Sequence, residues 1–94
     1  MIDVLKPLIQ QFMPFAQEKM GFSRPPKLFL RQDDQNAADP MGKTGFYDPE
    51  NESVTIYVTG RHPKDIMRSL AHELMHHTQK CNGEFDNAYT ILNL

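Results

Sequence analysis

The stretch PKDIMRSLAHELMHHTQKC, Pro63 to Cys81, most narrows what this chain can fold into. Pro63 is a favoured first helical residue, Asp65 puts an acid in the opening turn, and Asn82-Gly83 supplies a stop signal. The spacing predicts a helix from about Pro63 to about Cys81. At roughly 100° per residue with Ile66 at zero, Leu70 falls near 40°, Leu74 near 80°, Met67 near 100° and Ala71 near 140°. That arc is a core face, so the rest of the chain must supply a surface to cover it.

Upstream, Leu5, Leu8, Ile9, Phe12, Ala16 and Met20 recur at three- and four-residue steps and predict a first helix over Val4 to Met20. Pro7 fits its first turn, Pro14 is expected to kink or interrupt it, and Gly21 to end it. Lys27 to Arg31 reads as a short strand after Pro25-Pro26. QDDQNAADPMGK, which follows, holds almost nothing to bury and reads as an exposed loop. Thr44 to Tyr47 and Ser53 to Thr59 flank the turn-rich Asp48-Pro49-Glu50-Asn51-Glu52 and predict a hairpin. In its second arm Val54, Ile56 and Val58 share one face, leaving Thr55, Tyr57 and Thr59 on a partly exposed one. The expected fold is α+β: an N-terminal helix, a small sheet with a hairpin, and the histidine-bearing helix packed on the sheet.

The 94 residues suffice for one domain over 1–94, and 39% hydrophobic against 23% charged residues reads as globular. A core this modest leaves room for a bound metal or a second copy of the chain to add stability. Ten basic and twelve acidic residues, net charge −2, are spread without a basic block, which argues against a nucleic-acid partner. One cysteine, Cys81, excludes an internal disulfide and fits a reducing compartment, so a cytoplasmic location is expected. The opening MIDVLKPLIQQF lacks the features of a secretion signal, and no stretch approaches the roughly 18 apolar residues that a membrane span requires.

On the same helical wheel His72 falls near 240° and His76 near 280°, roughly opposite the apolar centre. Residues four apart are neighbours on a helix surface, so the two imidazoles can converge on one small cation. Zinc fits that donor set, with imidazole nitrogen at about 2.0 to 2.1 Å. Glu73 occupies an adjacent angular position, placed to touch a metal-bound water as a base. His72-Glu73-Leu74-Met75-His76 is the full H-E-x-x-H pattern: ligands at i and i+4, a base beside them, and two apolar residues turned inward. His77, near 20° on the wheel, is expected to pack or make a structural hydrogen bond. His62 is expected to be a cap or loop residue, and Cys81, near 60°, a buried small apolar residue.

With this motif on a predicted helix, the chain resembles the zincin-type zinc metallopeptidases. The order helix, strand, hairpin, motif helix over residues 1 to 81 resembles the minimal upper subdomain of their gluzincin branch. GFYDPENESVTIYVTGRHPKDIMRSLAHELMHH also looks like small metallopeptidase-like proteins encoded by phages of cyanobacteria. The resemblance implies a zinc endopeptidase in which His72 and His76 are ligands and Glu73 is the general base. It also implies a peptide or protein substrate paired along an exposed edge strand, either Ser53 to Thr59 or its hairpin partner.

A third protein ligand is part of that family's pattern. The metzincin positions fall on Gln79 and Asn82, which do not match, and the gluzincin ligand is a downstream glutamate. Only Glu84 and Asp86 are acids beyond His76. The alternatives are a shortened form of a longer parent, a ligand from a second subunit, or a degenerate site. The competing reading is a non-catalytic zinc-binding or interaction module derived from a metallopeptidase.

Overall fold

A computed structural model describes residues 1–83. It contains helix α1 (Ile2–Met20), strand β1 (Lys27–Arg31), a short helix α2 (Asp34–Ala38), strands β2 (Gly45–Asp48) and β3 (Ser53–Tyr57), and helix α3 (Pro63–Cys81). The sheet order is β1-β3-β2, with β1 parallel and β2 antiparallel to β3. The fold is therefore α+β, with α3 packed on the sheet and α1 packed against α3.

The core forms where the three layers meet. Leu5 and Ala16 come from α1, Phe22 from the following turn, Val54 and Ile56 from β3, and Ile66, Leu70 and Leu74 from α3. The last three are the apolar stripe expected from the wheel. Burial of such side chains stabilises by roughly 1.5–3 kcal/mol each, which is why α3 keeps this face inward.

Pro14 does not interrupt α1, which runs through both prolines. The missing amide costs one hydrogen bond, but Phe12, Met13, Ala16 and Met20 hold the helix on the core on either side of Pro14. Gly21 closes α1 in the left-handed conformation at φ 83°, its amide donating to the Gln17 carbonyl at 2.9 Å.

Two expectations for the hairpin are corrected. β3 is the central strand, so Ser53 to Thr59 cannot be an edge; that position belongs to β2 on one side and β1 on the other. Nor is the second face of β3 partly exposed at its centre, since Thr55 and Tyr57 are 8% and 6% accessible. Phe29 and Phe46 flank Thr55 from both neighbouring strands, and the Arg31 guanidinium lies 5.7 Å from the Tyr57 ring centroid.

The segment after β1 is also more ordered than an open loop. Asp33 caps α2 by accepting from the Asn36 amide at 3.0 Å. The Asn36 side chain then grips Lys43, donating to its carbonyl at 2.9 Å and accepting from its amide at 2.7 Å. Gly42 closes against this knot: a Cβ there would stand 2.2 Å from the Asn36 carbonyl oxygen and 2.9 Å from that of Asp39. Gly42→Ala is expected to cost about 1–3 kcal/mol of stability through this overlap, measurable as a lower denaturation midpoint.

Candidate metal and peptide site

His72, Glu73 and His76 all come from the middle of α3. His62 caps this helix, its Nδ1 accepting from the Lys64 amide at 3.0 Å, and Pro63 follows as its first residue. Arg61 ties the same end to the sheet, donating to the Tyr57 carbonyl at 2.8 Å and to Ser69 Oγ at 2.7 Å. The histidines thus stand on a helix fixed at its start and along its apolar face.

The His72 and His76 rings lie side by side, centroids 5.1 Å apart and planes at 86°. Two imidazoles with nitrogens about 2.0–2.1 Å from one tetrahedral ion have centroids roughly 5 Å apart, so the spacing of this pair is compatible with a shared zinc. His72 is exposed and His76 half-buried. His76 Nδ1 lies 3.1 Å from Gln79 Oε1, and since that oxygen can only accept, Nδ1 carries the proton and the neutral ring's lone pair sits on Nε2.

Glu73 is 8% exposed and lies against β2, unlike its two histidine neighbours in the motif. It shares with His76, Gly45, Phe46, Tyr47 and Pro49 the lining of an open groove of about 350 Å³. Among the described residues no buried side-chain oxygen or nitrogen is sealed off without a partner, so the carboxylate opens into the groove it lines. Gly45 lets the β2 backbone approach: a Cβ there would lie 3.6 Å from Glu73 Cγ and 2.8 Å from the Thr55 carbonyl oxygen.

The edge of β2 that faces away from β3 borders this groove. The Thr44 carbonyl accepts from the Tyr57 amide, and the register pairs Phe46 with Thr55. In an antiparallel ladder bonded and non-bonded positions alternate, so Gly45 and Tyr47 direct their main-chain N–H and C=O away from β3. Among the described residues no strand pairs with that edge.

His77 faces the other way and is wholly buried. Tyr47 Oη lies 2.7 Å from its Nδ1 and the Arg24 carbonyl 2.7 Å from its Nε2. The carbonyl can only accept, so Nε2 carries the proton and Nδ1 accepts from the tyrosine. Phe22 and Tyr47 pack edge-on around the ring. Burial, reinforced by the nearby Glu52 charge, pushes the Tyr47 hydroxyl up to about 12, keeping it a donor. Arg24 pairs with Glu52 through both carboxylate oxygens, and the Arg24 hydrogen bond holds the Glu52 carboxyl below its usual range.

Two residues depart from the expected arrangement. Met75 is 52% exposed, so only Leu74 of the motif's apolar pair turns inward; one residue further round α3 is already past the stripe. Cys81 is half-buried at the core margin, with Sγ 3.5 Å from His77 Nε2. Glu84 and Asp86 lie outside the described residues. Among those described, no group of three His, Cys, Asp or Glu side chains is placed to hold a metal; His72 and His76 are a pair of potential ligands.

A larger opening of about 540 Å³, lined by Met1, Gln32, Asp34, Val58, Thr59 and Gly60, includes no histidine. Sequence reading missed Gln79, Tyr47 and Gly45. Gln79 stood three residues beyond His76, within side-chain reach on a helix, and that spacing was the available signal. No protein-family model, curated protein or solved structure matches the chain.

Proposed function

We propose that this chain is a zinc-dependent endopeptidase unit in which His72 and His76 hold the metal and Glu73 is the general base. The observation that carries the reading is the juxtaposition of two imidazoles at a zinc-compatible 5.1 Å with a carboxylate opening into a groove beside the edge of β2 that faces away from β3. His72 and His76 would hold a zinc ion, which would supply Lewis-acid activation of a water near neutral pH. Glu73 takes the proton from the attacking water and delivers it to the leaving amine. An extended peptide pairs with the outward main-chain groups of Gly45 and Tyr47, which brings its backbone past Glu73. Phe46, Tyr47 and Pro49 give the groove apolar walls for its side chains. The single cysteine suits work in the cytoplasm.

Zinc is expected to bind at one equivalent per chain, and His72→Ala or His76→Ala to abolish that binding. Metal analysis of purified protein, paired with cleavage of an unstructured protein substrate, checks both. The ligand pair, with no third among the described residues, favours a second reading, a non-catalytic zinc-binding module. Zinc uptake without cleavage would support that module; uptake with cleavage that ceases on chelation would support the enzyme.

A further inference from the structure

We propose that Gln79 is a positioning residue for the metal site: it fixes the tautomer and orientation of His76 so that Nε2 is presented to zinc. The proposal rests on the zinc reading above and adds a residue outside the H-E-x-x-H motif. On the helical wheel Gln79 falls near 220°, within about 60° of both histidines, so the three share one stripe of α3. Among the described residues, His76 meets the ring of His72 one turn before it and Gln79 Oε1 three residues after it. Among the described residues no hydrogen bond orients the His72 ring, so the two ligands differ in their degree of preorganisation.

A histidine that donates its second ring N–H to a carbonyl or carboxylate binds metal better, because the ring is oriented and its donor nitrogen made more basic. Gln79 supplies that oxygen from the same rigid helix. Loss of such a partner costs roughly 10- to 100-fold in metal affinity. Gln79 is not itself among the residues that line the groove and meets it only through His76, so its effect should appear in metal binding rather than in peptide recognition.

The test measures zinc affinity at neutral pH by competition with a chromophoric chelator for the parent, Gln79→Leu and Gln79→Glu. Long-range ¹H–¹⁵N spectra of the metal-free proteins report the His76 tautomer. Gln79→Leu should weaken zinc binding about 10- to 100-fold and shift the His76 proton toward Nε2, with helix content unchanged. Gln79→Glu, which keeps an acceptor oxygen, should restore parental affinity or exceed it. If Gln79→Leu loses helix content, Gln79→Ala takes its place in the comparison. Unchanged affinity in the acceptor-less variant, or an Nε2–H tautomer in the metal-free parent, overturns the proposal while leaving the zinc reading intact. A parent that takes up no zinc overturns the zinc reading itself, and the role of Gln79 with it.

Discussion

Glu73→Gln is expected to leave zinc binding at the parental level and to lower peptide cleavage by a factor of about 10²–10⁴, the usual contribution of a positioned general base. The two side chains have nearly the same shape, so the 8% exposed site beside Gly45 can accept the change without repacking. No described hydrogen bond is lost, because the carboxylate opens into the groove rather than onto a protein partner. What disappears is the capacity to take a proton from water. Single-turnover cleavage of an unfolded substrate, with zinc content measured on the same samples, separates the outcomes. Cleavage at the parental rate would remove Glu73 from the role of base, and loss of zinc would make it a ligand.

The elements that carry this site were legible in the sequence because each has strong local causes. The stripe of Ile66, Leu70 and Leu74 fixed both the existence of α3 and the face it buries, and placing His72 and His76 off that face followed from the same period. β1 was equally readable from its apolar run after two prolines. Sheet order was not. A hairpin signal places β2 beside β3, but only long-range packing decides that β1 joins the far side of β3 in parallel, which makes β3 central and β2 the edge.

Pro14 and the segment after β1 show the same limit from opposite directions. A single missing amide is outweighed by core contacts on both sides of Pro14, whereas a polar segment without a core stripe is ordered by Asn36 gripping Lys43. Gln79 was hidden for another reason: glutamine is common on solvated helix faces, and only the geometry shows its oxygen aimed at the ring of His76.

His77→Ala is expected to be the most destabilising of the histidine substitutions, by about 3–5 kcal/mol, combining a cavity in the core with two severed hydrogen bonds. The ring is wholly buried between Phe22 and Tyr47, so removing it leaves a void that neighbouring aromatics cannot readily fill. The Arg24 carbonyl would lose its donor and the Tyr47 hydroxyl its acceptor. Against a typical domain stability of about 5–15 kcal/mol, such a loss threatens folding itself. His62→Ala, which removes only a helix cap, should cost about 0.5–2 kcal/mol.

Tyr47→Phe isolates one bond of the set, leaving His77 Nδ1 without its donor at a cost of about 1–3 kcal/mol. Denaturant midpoints of the metal-free proteins rank all three. A loss below about 0.5 kcal/mol for His77→Ala, within the range of an ordinary surface change, would show that the buried ring does not pin α3 to β2. The distinction matters to the site because Tyr47 lines the groove on one side of this bond while His76, the neighbour of His77, lines it on the other. On the proposed reading, slackening this bond would loosen the packing of β2 on α3 beside the groove that Glu73 lines.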